Sequence, residues 1–442
     1  MNFSLIPAVG LSMGLMLSPD MLVLLGNSVG TFGGYVFAVI LLSAVVHASI
    51  AHSYGQLYTR HFGVEGEAKI INSAFGASVA IVLPMGSRLI TGVFLSTGLL
   101  VTAGFVFNEV FLYWFPNFAF AFLLLGALLA VNLISRDISS KLQLVFIGVS
   151  FFGLLFLSIA GLQQWGDLQP VPLEFSDNFS LRPILLGLFI FVGFDLSVFT
   201  DQHYQVHKRS STPLYAPMMI SILSVGFLFF LWSMASMGST PLDKLAHSSI
   251  PFTVAARRIL GNEGRLLMGI IVISGTCSAV NSFFIALPKM IDGMVAQHLL
   301  PSILTWGKNR TAVPQFLLFA TIAFAMAVGI AGKPELELLI RAGLLFWLLH
   351  YAEVSITAMV IRKRDADRLG KKTVSISMWM TVFSILILLS GFIGLLWTDT
   401  DSVFLAYFML ASIVTIFLLS FIWQKVSSTR NQRITDRIGK TE

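Results

Sequence analysis

The sequence predicts an all-α polytopic membrane protein of twelve transmembrane helices: a 5+5 inverted repeat with helices 1 and 6 broken, plus two accessory helices. Three observations carry this expectation. Of the 442 residues, 56% are hydrophobic and only 11% charged, with a mean hydropathy of +0.84; a soluble domain carries about 25% charged residues. Apolar windows long enough to cross a bilayer recur along the whole chain, where roughly 20 apolar residues suffice for one crossing. Two of these windows, five apart, each hold an acid beside a helix breaker.

In chain order the windows are Phe3–Asn27, Tyr35–His52, Gly76–Phe105, Phe118–Ile134, Leu142–Leu162, Pro183–Phe199, Pro217–Met237, Leu266–Val295, Val313–Ala331, Leu336–Ile361, Val374–Trp397 and Val403–Trp423. The third and eighth are the longest, and are expected to tilt or to extend past the membrane. The first window is not a cleaved signal peptide: it lacks a basic n-region, exceeds the usual h-region length and contains Asp20. A single cysteine, Cys277, excludes an intrachain disulfide.

The basic loops set the orientation. With the N-terminus inside, 19 of the 28 Lys and Arg fall on the inner side, 6 on the outer side and 3 within spans. The largest inner cluster is Arg362, Lys363, Arg364, Arg368, Lys371 and Lys372. This bias predicts both termini cytoplasmic with twelve crossings, and the expected location is the plasma (inner) membrane. It also accounts for the net charge of +6 without a nucleic-acid partner. Of the outer loops, 163–182 is polar and acidic, and 238–265 holds a short helix at Phe252–Leu260; both read as connectors or gating elements. The tail after Trp423 is basic and polar, expected to lack structure. The domain reading is 1–165 for the first repeat, 166–372 for the second, 373–425 for the accessory helices and 426–442 for a cytoplasmic tail.

Span 1 carries Gly14-Leu-Met-Leu-Ser-Pro-Asp20 at its middle. Pro19 lacks an N–H and clashes with the preceding turn, so the helix opens there. An opened turn at that depth must be buried in protein or line a wet cavity. Asp20 costs several kcal/mol there without a partner or a ligand. Span 6 repeats the pattern in Phe191-Val-Gly193-Phe-Asp195, where Gly193 opens the backbone and Asp195 needs a reason to be present. A broken first helix in each of two five-helix units marks an inverted-repeat carrier, with the solute held between the unwound turns.

These stretches resemble the amino acid–polyamine–organocation transporters, which share the leucine-transporter-like fold. Ser18-Pro-Asp-Met-Leu-Val-Leu-Leu-Gly26 lies where that family has a glycine-rich run. Phe191-Val-Gly-Phe-Asp195 is similar to its Phe-x-Gly-Phe-Asp signature. Ser278-Ala-Val-Asn281, with Lys289 and His298-Leu-Leu-Pro301, resembles the end of its eighth helix. The resemblance implies a secondary active transporter, symporter or exchanger, working by alternating access on an amine-bearing solute such as an amino acid. The two openings and the charge within span 3 place the candidate substrate site at Leu17, Ser18, Pro19, Asp20, Arg88, Phe191, Gly193 and Asp195. The resemblance also likens the carbonyls of Gly14 and Leu17 and the hydroxyls of Ser278 and Ser282 to a sodium site. The departure lies in span 1. Pro19 has no N–H for a substrate carboxylate, and Asp20 would repel one, so Asp20 is suited to an ammonium group instead.

Arg88, near the middle of span 3, keeps its proton and must meet an anion. That anion is Asp20 or Asp195 in a neutralising pair, or the acid end of a zwitterionic solute. Arg341 and Glu337 are spaced to pair on one helix face near the outer mouth, as structure or as a gate. Glu353 either carries a coupling proton or hydrogen-bonds within the bundle. Asp20 and Asp195 are protonatable, so the coupling ion is a proton or sodium, with the proton favoured. His47 and His52 are five apart, which disfavours a metal site, and Lys289 and Asp292 are spaced as a local pair.

Scattered histidines and the lack of a nucleotide-binding motif argue against an enzyme or an ATP-driven pump. The competing reading is a solute-sensing receptor or a channel that keeps a carrier-like fold. No cofactor is expected. The expected partners are a small-molecule substrate, a coupling proton or sodium, and the lipid bilayer, with a homodimer left open.

Overall fold

Span 1 breaks where Pro19 requires it. Helix α1 (Leu5–Met16) and helix α2 (Pro19–Phe32) meet at an angle of 55°. Ser18 between them is extended, at φ −68° and ψ 152°, and Pro19 takes the first helical position of α2. There its missing N–H leaves no bond unmade. The computed structural model describes residues 5–60, 66–163, 186–200, 215–369, 376–398 and 401–438. Among these there is no strand. Most of the outer loop 163–182, and Lys208 and Arg209, lie outside the described residues.

The helices that follow are α3 (Tyr35–Arg60), α4 (Gly66–Phe75), α5 (Ala77–Met85), α6 (Thr91–Val110), α7 (Asn117–Ile134) and α8 (Arg136–Gln163). α5 and α6 form one crossing, Ala77–Val110, joined by a π turn at Gly86–Ile90. Pro84 removes one donor from the helical ladder just before that turn. The extra residue of a π turn is a common way to reset the register, and such turns gather at functional sites. Arg88 is the third residue of this turn.

Span 6 is opened more widely than a single break at Gly193. Beyond its first two described residues it runs as turns through Gly193, then as a 3-10 turn at Phe194–Phe199. Gly193 sits at φ 99°, the left-handed region that favours glycine. A methyl on it would lie 2.6 Å from Leu15 Cβ, so α1 crosses span 6 against bare backbone. The Ser12 hydroxyl fastens this crossing by donating to the Phe194 carbonyl at 2.5 Å.

The second half of the chain gives α9 (Tyr215–Ser239), α10 (Leu242–Ala246), α11 (Pro251–Ala296), α12 (Ala312–Ala327), α13 (Pro334–Leu369), α14 (Ile376–Thr398) and α15 (Ser402–Ile438). The short outer helix expected near Phe252 is present as the first turns of α11. It ends in a kink at Leu260 and Gly261, the latter at φ 62°. α11 and α13 are the interior helices, 78% buried over their apolar windows, whereas α15 is 17% buried and faces lipid. The expected unstructured tail is instead helical as far as Ile438, because no Pro or Gly interrupts 402–438.

Among the described residues, nine helices are long and apolar enough to cross a membrane, or ten when α1 and α2 count as one span. Two of the twelve expected windows fall short. Span 6 is irregular, and α12 has 16 residues.

Candidate functional site

The irregular backbone of span 6 delivers Asp195 into the interior, where it is fully buried. Three donors from other elements converge on it. Arg88 Nη2 approaches Oδ2 at 2.5 Å, while Tyr351 Oη and Trp347 Nε1 donate to Oδ1 at 2.7 and 3.2 Å. Tyr351 also accepts from the Gly193 N–H at 3.1 Å, so one hydroxyl ties the open turn to α13. Arg88 is the anion's counterpart rather than a free clamp. Its guanidinium is also fully buried, lies over Phe199 at 5.1 Å and near Trp347 at 5.9 Å, and has Met290 Sδ at 3.8 Å.

A second carboxylate shares Arg88. Glu67, the second residue of α4, places Oε2 3.0 Å from Arg88 Nη1. Its Oε1 accepts from Tyr54 of α3 at 2.7 Å and lies 2.7 Å from His350 Nε2. The other ring nitrogen of His350 meets Glu353 Oε2 at 2.8 Å. A charged chain thus runs from span 6 through the π turn to α4 and back to α13. The pairing of Arg88 follows the expected Asp195 option, not the Asp20 one.

Sequence reasoning missed several members of this chain. Glu67 lies between two apolar windows and carries no local sign that its helix turns back into the bundle. Trp347, His350 and Tyr351 did carry one: at i, i+3 and i+4 they put polar atoms on one face of an apolar helix.

Asp20 is placed differently. It is the second residue of α2, part-buried, and among the described residues no hydrogen bond or ion pair holds its carboxylate. Glu337 of α13 pairs with Arg341 one turn on, as the spacing predicted. The neighbouring Ser18 hydroxyl is buried and unpartnered. Leu17 is buried, and its carbonyl faces Gly275, where a methyl would come within 2.7 Å. Phe191 packs inside, with its ring 5.6 Å from His47 and 6.3 Å from Phe229.

The residues likened to a sodium site form a closed polar knot. Gln143 of α8 donates from Nε2 to Ser278 Oγ at 2.8 Å, Ser282 Oγ at 3.0 Å and the Gly10 carbonyl at 3.2 Å. Asn281 donates to Gln143 Oε1 at 2.9 Å and accepts from Asn132 at 2.7 Å, which fixes the amide's orientation. Gly14 is needed for the fit, since a methyl there would lie 2.1 Å from Ser282 Oγ and 2.6 Å from Gln143 Nε2.

Elsewhere, His47 is buried, with Nδ1 2.8 Å from the Ser43 carbonyl, and His52 meets Gln56 at 2.8 Å. Asp292 takes Arg310 at 2.6 Å. Among the described residues no group of three His, Cys, Asp or Glu side chains is placed to hold a metal ion.

A bundle built on two opened spans, with acids at both openings, has the architecture of a polytopic membrane carrier. A profile of the family described as "Amino acid permease" matches residues 3–425, and the chain belongs to that family. It is accordingly a membrane transporter and not an enzyme, and the resemblance to the amino acid–polyamine–organocation transporters holds. Two solved structures of the Eremococcus coleocola manganese transporter share the fold. A mutant form aligns with a TM-score of 0.55 at 13% identity, covering 96% of this chain and 94% of that one. The complex with an aromatic bis-isothiourea substituted compound aligns with a TM-score of 0.52 at 14% identity, covering 97% and 94%. No curated protein matches the chain in sequence.

Proposed function

We propose that the protein is a proton-coupled secondary transporter of a small ammonium-bearing solute, an amino acid or amine, working by alternating access in the plasma membrane. One observation carries the reading: of the two acids at the two openings, Asp195 is saturated by Arg88, Tyr351 and Trp347, whereas Asp20 has no such partner among the described residues. An unpaired intramembrane acid at an unwound turn calls for a cationic ligand. Asp20 already occupies the positive end of α2, which displaces a solute carboxylate from that place and favours an ammonium group.

Arg88 serves in this reading as a latch on span 6 rather than as a clamp on the solute's acid end. An amine lacking the carboxylate then competes with the matching amino acid. The knot around Gln143 supports the proton over sodium, because an amide already supplies the donor that the oxygens of Ser278 and Ser282 require.

The test is a thermal-shift screen of amines, amino acids and betaines on the purified protein. A ligand at 100 times its dissociation constant stabilises by about 2.7 kcal/mol. Any solute that stabilises the wild type is expected to leave Asp20→Asn unshifted, with the variant still monodisperse. Equal stabilisation of Asp20→Asn removes Asp20 from the site and, with it, this reading.

A further inference from the structure

The two nitrogens of His350 each face a carboxylate oxygen, Glu67 Oε1 at 2.7 Å and Glu353 Oε2 at 2.8 Å. Contacts this short hold one proton each, on the nitrogen or on the oxygen. Two protons are therefore distributed over three groups. An imidazolium between two carboxylates and a neutral imidazole beside one carboxylic acid are the two arrangements, and each carries a net charge of −1. Glu67 is the fixed end, because Tyr54 and Arg88 also donate to it. The movable proton lies between His350 Nδ1 and Glu353 Oε2.

The surrounding groups leave that charge uncancelled. Arg88 from the π turn and Asp195 from span 6 neutralise each other. Tyr54 from α3 and Tyr351 from α13 bring hydroxyls only, and Tyr58 stacks behind Tyr54 at 6.4 Å. The helices α5 and α14, which also pack against α13, have no charged residue in their sequences. The buried assembly is thus, among the described residues, one positive charge short of neutrality. Among the described residues, Glu353 Oε1 is buried without a hydrogen-bond partner, while Glu67 Oε2 at least faces Arg88 Nη1. Glu353 keeps 6% exposure as a residue and His350 none, so of the two groups Glu353 stands nearer the edge of the buried assembly.

We propose that Glu353, His350 and Glu67 form the proton-carrying site of this transporter, with one proton taken up at Glu353 Oε1. On uptake an O–H bond forms at Oε1, and the Nδ1–H of the imidazolium then donates to Oε2. The assembly becomes neutral, and release of that proton restores the two-proton chain. The inference rests on the transporter reading above, and it moves the coupling ion away from Asp20 and Asp195. The group that titrates stands on α13, the helix that also holds the opened turn of span 6 through Tyr351 and Trp347.

Infrared titration of the purified full chain tests the site without any solute. In the wild-type minus E353Q difference, one carboxylic-acid carbonyl band is expected to grow in a single step as pH falls. E353Q is expected to lose that band, and E353D to keep it at a shifted position. A difference spectrum without such a band overturns the proposal. In proteoliposomes, the ratio of accumulation driven by a pH gradient to solute counterflow is expected to fall at least tenfold in E353Q. An unchanged ratio overturns the proposal as well. If wild-type protein shows no counterflow of any amine, the transporter reading of the substrate fails, and the infrared titration still decides the proton site.

Discussion

Replacing Arg88 by Gln removes one guanidinium from between two buried carboxylates. The side chain is fully buried, 2.5 Å from Asp195 and 3.0 Å from Glu67. Removing one partner of a buried ion pair costs about 3–5 kcal/mol, because the charge left behind has no counterpart. Two carboxylates are stranded here, yet each keeps two other neighbours: Tyr351 and Trp347 at Asp195, Tyr54 and His350 at Glu67. The loss is therefore expected at about 3–5 kcal/mol rather than twice that. The double variant Arg88→Gln/Asp195→Asn recovers roughly half, since the amide oxygen still accepts from Tyr351 and Trp347 while one stranded charge disappears. Arg88→Lys falls between, because a point-like ammonium cannot reach both carboxylates as the planar fork does. Denaturant unfolding in detergent micelles, followed by tryptophan fluorescence, measures all three. An Arg88→Gln variant within about 1 kcal/mol of wild type, below the cost of an uncompensated buried charge, would refute the latch. So would a double variant whose losses simply add.

Two further outcomes are expected. Gln143→Ala leaves Ser278, Ser282 and the Gly10 carbonyl without their shared donor, which costs about 1–3 kcal/mol; sodium should restore part of this in the variant and change nothing in the wild type. A wild type stabilised by sodium in the same melting assay would sink the idea that the amide has replaced an ion. Gly193→Ala forces a methyl into a left-handed position 2.6 Å from Leu15 Cβ, and about 1–2 kcal/mol of backbone strain alone should lower its yield of monodisperse protein. Gly148→Ala, with open space at the same atom, serves as its control.

The parts of the architecture legible in the sequence were those set by local chemistry. Pro19 and Gly193 announce openings because proline lacks a donor and glycine alone enters φ 99° without strain. The Glu337–Arg341 pair follows from helical spacing. The width of the span 6 opening was not legible, because Leu186 to Val192 reads as an unbroken apolar helix, whereas its backbone closes i→i+3 turns and Tyr351 of α13 ties down the Gly193 N–H that follows. Glu67 was invisible for another reason. Its role depends on α4 folding back against α13, a long-range contact that no window of sequence encodes. Gln143 was legible as a polar residue in an apolar span, but its partners come from α1 and α11, far away in the chain.

The symmetry suggested by the two motifs is broken by what surrounds them. Were both acids solute ligands, Arg88 would have to leave Asp195 for every binding event. A guanidinium stays charged in any interior, and the groups around Arg88 other than its two carboxylates are Met290, Phe199 and Trp347. Leaving both partners would strand that charge at a cost of several kcal/mol, a large share of what a small solute provides at about 0.3–1.5 kcal/mol per heavy atom. Arg88 can therefore release Asp195 only while Glu67 still holds it. Opening of span 6 then depends on α4 staying in place, and the hold on α4 passes through His350. A proton arriving at Glu353 fixes His350 as an imidazolium and strengthens its grip on Glu67, so proton binding favours the one route by which Asp195 can be freed. Uptake in a Glu67→Gln variant, which weakens both contacts, is expected to lose its dependence on external pH; retained pH dependence there would separate the latch from the proton.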